Sequence, residues 1–432
     1  MFVSDHLGIN QQHHLTIGGV DTIELAEQFH TPLFVMDEDK IRDHCRQFRH
    51  SIEEYYQGAG LVCYASKAFC CKQMYRIAKE EGIGTDVVSM GELYTAMSVD
   101  FPVEKICYHG NNKTPQELEY ALECGVGRIV VDNLSELHLL NDLAGNMGKK
   151  AVILLRVTPG IDAHTHQFIR TGQLDSKFGL AIELGLAMEA IKQAIQLPHI
   201  VLDGIHCHIG SQIFDIDPFE HAAEVMLSLI AEVQTTLDFS LKTLNLGGGF
   251  GIQYTDSDDP VAYDCYMKRV SEVVKKKATE LGLPLPYIII EPGRSIVGPA
   301  GITLYTVGNI KEIPNIRKYL AVDGGMTDNP RYALYQAEYN FLIANRADAP
   351  KDDTVTVAGR CCESGDLLGE HIKLQSAQVG DILAVCATGA YNYAMSSHYN
   401  RVAKPAVIMV SGGVAKEVVR RETLEDLTRF DI

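Results

Sequence analysis

Short apolar runs recur along the first two thirds of the chain, each separated from the next by room for one helix. Eight read as strands: Leu61 to Ala65, Thr85 to Ser89, Ile106 to His109, Arg128 to Asp132, Val152 to Val157, Leu202 to His208, Leu244 to Leu246 and Tyr287 to Ile290. Nearly continuous apolar strands are expected of a parallel sheet covered on both faces. The segments between them carry helix start signals. Ser89-Met90-Gly91-Glu92 and Thr114-Pro115-Gln116-Glu117 have the form of capping boxes, and Asp217-Pro218-Phe219-Glu220 repeats the device before an amphipathic run to Leu237. A helix is also expected over Ala68 to Glu81, stopped at Gly82. Eight such units predict a closed (β/α)8 barrel, with an open doubly wound sheet as the alternative.

The pattern changes on either side of this region. Before it, Ile17 to Val20 reads as a turn, Asp21 to Phe29 as a short helix and Pro32 to Val35 as a strand. After Ser295, strands follow one another without long helices, over Ile302 to Val307, Tyr319 to Val322, Thr354 to Val357, Ile382 to Ala387 and Ala406 to Val410. The expected organisation is an α/β barrel over residues 36–292 and an all-β, sandwich- or barrel-like domain built from residues 293–432 together with residues 1–35.

Polar residues fall at the carboxyl ends of the barrel strands, which converge on one mouth in such a fold. They include Lys67, Ser89, Asn111, Asp132, Arg156, His208, the Gly247-Gly248-Gly249 run and Glu291. A lysine ending a buried strand loses water, which lowers its pKa and makes it a nucleophile toward carbonyls; a solvated lysine fits the same position. The glycine run lets backbone amides approach an anion, although a tight turn would use it equally; Glu291-Pro292-Gly293-Arg294 adds a guanidinium in the next loop. Glu291 suits either an internal ion pair or a protonated heterocycle nitrogen. His206 and His208 lie two apart and share a strand face, but no third ligand stands nearby in the sequence, so no metal site is assigned. Arg331 and Tyr335 are four apart, as a carboxylate clamp on one helical face requires.

Composition narrows the partners. The 432 residues are 46% apolar, enough for a large core, and the net charge of −18 argues against nucleic acid or an anionic membrane as a main partner. No run has the length of a membrane span and the first residues lack a signal-peptide pattern, which points to the cytoplasm. Eleven cysteines show neither a disulfide framework nor a CxxC zinc pattern.

Ordered motifs then converge on one family. Around Lys67 the chain reads Tyr64-Ala65-Ser66-Lys67-Ala68; later come His109-Gly110-Asn111-Asn112-Lys113, His208-Ile209-Gly210-Ser211-Gln212, Gly247 to Gly251, Glu291 to Arg294, Cys362-Glu363-Ser364-Gly365-Asp366 and Gly389-Ala390-Tyr391. From about His14 to Asn400 this resembles the fold-type III pyridoxal-phosphate decarboxylases, and within them the branch that acts on diaminopimelate. One departure is Tyr332, where that family's pattern expects proline.

The resemblance implies several roles. Lys67 would hold pyridoxal phosphate through its amine, His208 would stack on the ring, and Glu291 would keep the pyridine nitrogen protonated. Ser211, Gly248, Gly249, Pro292, Gly293, Arg294 and Tyr391 would bind the phosphate end, with Asp86 and Arg156 as supports. Cys362 would be the proton donor. For substrate, Arg294, Arg331, Tyr335 and Tyr391 would take a carboxylate and Glu363 an ammonium. The expected reaction is decarboxylation of meso-diaminopimelate to L-lysine. The expected assembly is a homodimer whose second subunit supplies Cys362 and Glu363. Alternatives are a same-fold decarboxylase of basic amino acids or carboxylated polyamines, a racemase, a cofactor carrier and a metal-dependent hydrolase.

Overall fold

The computed structural model describes residues 4–161 and 176–432. The chain divides into two compact units. One comprises His44–Gly251 and Pro260–Gly293; the other comprises the segment ending at Asp43, Ile252–Asp259 and Arg294–Ile432.

In the first unit eight parallel strands close into a barrel: β1 (Gly60–Ala65), β2 (Gly84–Val87), β3 (Ile106–Tyr108), β4 (Arg128–Val131), β5 (Ala151–Thr158), β6 (Ile200–His206), β7 (Thr243–Asn245) and β8 (Tyr287–Ile290). Each pairs with its successor, and Ile288 of β8 pairs with Gly60 of β1 to complete the ring. All eight expected strands are present, displaced by two residues or fewer at their ends. Cys63, Cys107, Val130, Leu154 and Ile289, from five different strands, form one apolar cluster. Residues one position further along these strands, or at their ends, are therefore free to carry polar groups to the mouth.

Helices follow β1 to β7, and their buried faces explain their sequences. In Asp217–Leu237 the buried positions Phe219, Ala222, Ala223, Met226, Leu227, Ile230 and Val233 recur every three or four residues. Thr114 heads its helix with the complete capping box and with proline in the first turn. At Ser89 only half the box forms. Its hydroxyl accepts from the Glu92 amide, but the Glu92 carboxylate accepts from Val88 instead.

Two local expectations are corrected. Asp217 is not a helix cap, because Ile216 already has helical angles and the Asp217 carboxylate accepts from Arg269 at 3.2 Å. The segment after Lys67 is not helical from Ala68. A single 3₁₀ turn spans Ser66–Ala68, extended backbone follows at Phe69 and Cys71, and the helix begins at Lys72. Burial of Phe69, whose carbonyl accepts from the Tyr64 hydroxyl at 2.9 Å, outweighs helix propensity there.

The second unit is built on a nine-stranded mixed sheet. Its long strand Gly301–Ile313 pairs with Arg317–Val322 along one half and with Leu33–Asp37 and Ile382–Cys386 along the other. Leu33–Asp37 also runs parallel to Ala406–Ser411. Period-two alternation covers both faces. Ile382, Ala384 and Cys386 join a cluster with Leu15, Ile17 and Leu25 of the amino-terminal segment, whereas Leu383, Val385 and Ala387 join Tyr305, Val307 and Phe341. Among the strands not anticipated, Leu367–Leu374 and Val414–Val419 lie at the ends of the strand order, where an exposed face admits residues such as Lys373 and Lys416.

Candidate active site

The barrel mouth is organised by one carboxylate. Glu291 directly follows β8 and is 7% exposed. Asn245, the last residue of β7, donates to its Oε1 at 2.6 Å. His109 Nε2 lies 2.8 Å from the same oxygen and His206 Nε2 lies 3.2 Å from Oε2. Burial alone would raise the Glu291 pKa, but the two imidazoles outweigh it and hold the carboxyl well below its ordinary range. Burial pushes His206 down to about 4, so at neutral pH it donates as a neutral ring. Its buried Nδ1 has no partner among the described residues, which fits a lone pair better than an N–H.

Glu291 also separates the roles of two acids. Asp86, buried at the end of the barrel wall beside it, is pushed well above the carboxylate range by burial and then by the Glu291 charge. The Asp86 Oδ1 accepts from the Ser66 amide at 3.0 Å and so fixes the turn that presents Lys67. Lys67 itself is exposed, so the expected desolvation of its amine does not come from this chain's own packing. His208 is half-buried, and burial followed by the Lys67 charge sets its pKa well below the usual imidazole value, leaving a neutral ring.

The glycine motifs meet around these groups. A Cβ on Gly248 would stand 2.1 Å from the Glu291 carbonyl, and one on Gly249, at φ +113°, 2.5 Å from the Gly210 carbonyl. Only glycine allows that approach, and the Gly248 amide points at His208 Nδ1, 3.3 Å away. The Pro292 carbonyl accepts from the Ala65 amide, and a Cβ on Gly293 would stand 2.7 Å from that of Ala65. The eighth loop is thereby locked to the lysine-bearing turn. Ser211 is half-buried in the loop that supplies Gly210. These features fit pyridoxal phosphate: an amine, a flat neutral ring, an ionised carboxylate for a protonated ring nitrogen, and a glycine cradle for the phosphate.

Arg156 and Asp132 form a pair whose guanidinium is felt by Glu291, His206 and His208. Their Nε and Oδ1 are 3.8 Å apart, Arg156 stacks 4.2 Å from the Phe178 ring, and Asp132 Oδ2 accepts from Gly179.

In the β-rich unit Arg294, Arg331 and Tyr391 come together. The Arg294 guanidinium lies 4.7 Å from the Tyr391 ring and its Nη1 donates to the Tyr254 hydroxyl at 2.5 Å. Arg331 is 8% exposed, and its Nη1 donates to the Tyr339 hydroxyl at 2.6 Å. Tyr335 is half-buried on the same five-residue helix, but the phenol that Arg331 bonds is Tyr339. Arg331 has no carboxylate partner among the described residues.

Cys362 and Glu363 are exposed on a loop that the chain holds by its backbone. Asp366 accepts from the Met326 amide at 2.6 Å and from the Cys361 amide at 2.7 Å, and Asn400 accepts from the Cys362 amide at 2.8 Å. Burial and Asp366 push the neighbouring Cys361 thiol up to about 11, which makes it a weaker acid than an ordinary thiol.

Sequence reasoning gave no role to Asn245, Tyr254, Tyr339, Asp366 or Asn400. It also found no third ligand near His206, whereas ligand atoms of His109, His206 and Glu291 lie within 4.8 Å of one another. Strand parity at the mouth could have found Asn245, which precedes the glycine run by two residues. Nothing in local spacing signals Tyr254 or Asn400.

Comparison with known proteins agrees with this chemistry. The family model described as the pyridoxal-binding domain of pyridoxal-dependent decarboxylases matches residues 38–298. A diaminopimelate decarboxylase of Bacillus subtilis is 51% identical over 435 residues, covering 100% of this chain and 98% of that protein. The solved diaminopimelate decarboxylase of M. jannaschii in complex with L-lysine matches with a TM-score of 0.92 at 34% identity, over 100% of this chain and 99% of that one. That of Helicobacter pylori, also complexed with L-lysine, gives 0.87 at 28% identity, over 95% and 99%. The chain belongs to the pyridoxal-dependent decarboxylases and, within them, to the diaminopimelate decarboxylases.

Proposed function

We propose that this chain decarboxylates meso-diaminopimelate to L-lysine and carbon dioxide, the last step of lysine biosynthesis. The observation that carries the reading is a carboxylate at the barrel mouth kept ionised by His109, His206 and Asn245, beside a lysine presented on a rigid turn. Bound at Lys67, pyridoxal phosphate supplies an electrophilic carbon and a ring that accepts the electrons left when carbon dioxide departs.

The chain's residues do the rest. Glu291 holds a proton on the ring nitrogen, because an ionised acceptor favours the protonated base facing it. His208 offers its neutral ring face, and Gly248, Gly249 and Ser211 receive the phosphate. Arg331 and Arg294, with Tyr335 and Tyr391 beside them, take the carboxylate at the non-reacting end of the substrate, and Glu363 takes its ammonium. Cys362 then returns a proton to the carbon that lost carbon dioxide. A substrate such as lysine carries only an amine at that end and would be repelled by the two guanidiniums.

Cys362 and Glu363 serve a second copy of the chain in a homodimer. Their exposure, combined with a backbone held by Asp366 and Asn400, suits residues that present themselves outward. Mixing Lys67→Ala and Cys362→Ala subunits tests this arrangement. Each alone should be inactive, and recovered turnover in the mixture supports shared sites; a mixture as inactive as its parts refutes them. All eleven cysteines are free and no described helix is long and apolar enough to cross a membrane, which supports a reducing cytoplasmic setting.

The reading itself is tested by supplying the pyridoxal-phosphate-loaded protein separately with meso-diaminopimelate, lysine and ornithine. Lysine and carbon dioxide formed from diaminopimelate alone support it. Preferential turnover of lysine or ornithine overturns the substrate assignment while leaving the cofactor in place.

A further inference from the structure

Tyr254 lies a few residues beyond the glycine run, in the segment Ile252–Asp259 of the β-rich unit. It is 6% exposed, and its amide is fixed by the Asp258 carboxylate at 2.9 Å. Its hydroxyl accepts from Arg294 at 2.5 Å, and the Arg294 and Arg331 guanidinium carbons stand 5.7 and 4.9 Å from its ring centroid. Two buried cations beside one ring repel each other. An electron-rich aromatic face and a hydroxyl oxygen lower that cost without neutralising either charge. An acid in the same position would neutralise one guanidinium, whereas a neutral phenol adds no opposing charge. The Tyr339 ring, edge-on to Tyr254 at 5.3 Å, and its hydroxyl's bond to Arg331 complete the support.

We propose that Tyr254 is the positioning residue of the substrate-carboxylate site: its hydroxyl and ring hold Arg294 and Arg331 side by side, so that one carboxylate meets both. This rests on the substrate roles given above to the two arginines.

The test is Tyr254→Phe in the loaded enzyme, which keeps the ring and removes the acceptor. KM for meso-diaminopimelate is expected to rise about 10-fold, the scale of one charge-assisted hydrogen bond, with kcat within about 2-fold of the parent. The dissociation constant of L-lysine, read by direct titration without turnover, should rise in parallel. In an Arg294→Ala background the same change should add less than about 2-fold, because the hydroxyl acts through that guanidinium. An unchanged KM in the parent, or the same factor in both backgrounds, overturns the proposal. Arg331→Ala separates the two levels. If it leaves KM unchanged, the substrate-carboxylate reading fails and takes the proposal with it; if it raises KM while Tyr254→Phe does not, only the role of Tyr254 falls.

Discussion

The barrel mouth and the arginine cluster of the β-rich unit are both buried and both charged, but they treat charge in opposite ways. At the mouth, Glu291 is surrounded by donors from three other elements, His109, His206 and Asn245, and its charge is compensated within the chain. In the β-rich unit Arg331 is packed against phenols, with no carboxylate beside it among the described residues. A compensated charge is a fixed tool, held ready to act on whatever group is placed against it. An uncompensated one is a demand for a counter-ion, and so is a specificity element. The difference implies that changes at the mouth should alter turnover, whereas changes in the arginine cluster should alter which substrate is taken.

The largest effect is expected at Lys67. Lys67→Ala should abolish decarboxylation and the visible absorbance of bound cofactor, and normal turnover by this variant would remove the cofactor assignment. Glu291→Gln retains the size and the Asn245 contact but removes the charge. It should lower kcat by about 100-fold or more with little change in KM, measured under saturating cofactor. A rise in KM alone would place Glu291 with the substrate-binding group and break the contrast.

A smaller effect sharpens the account of how the mouth is compensated. Burial holds His206 at about 4, below the unfolded value of 6.5, so above pH 6.5 both states are neutral and no stability is lost. As pH falls from 6.5 toward 4 the unfolded chain takes up the proton first, and stability declines by about 3 kcal/mol before levelling off. Denaturant titrations of the cofactor-free protein across that range should show this decline, and His206→Gln should flatten it. An equally steep decline in the variant would mean that His206 is not the group responsible.

How much of this was legible in the sequence follows the same division. Barrel strands are nearly continuous apolar runs, and the residues that follow them reach the mouth, so position along the strand reports position in the mouth; Lys67, His208 and Glu291 were placed there in this way. The glycines at 247–249 were readable because close backbone approach admits no other residue. In the β-rich unit the signal is weaker for physical reasons. Edge strands such as Val414–Val419 carry polar residues on an open face and lack the alternation that marks a covered strand. Arg331 meets Tyr254 and Tyr339 through tertiary packing, not helical spacing, and so the four-residue spacing that offers Arg331 and Tyr335 as a carboxylate clamp gives no sign of either contact. Capping shows the limit at shorter range. Thr114 behaves as its motif predicts, while Asp217 does not, because the chain enters that helix one residue early.

The central claim, that one region performs the reaction and the other selects its substrate, is tested most directly by a specificity ratio. The measurement is kcat/KM for meso-diaminopimelate and for lysine, in the parent and in Arg331→Ala. Loss of one charge-assisted contact of about 1.5 to 3 kcal/mol should lower the diaminopimelate value by at least about 10-fold, through KM, leave its kcat nearly unchanged, and raise the lysine value as one source of repulsion is removed. An equal fall for both substrates, or a fall carried by kcat, would contradict the division of labour between the two regions.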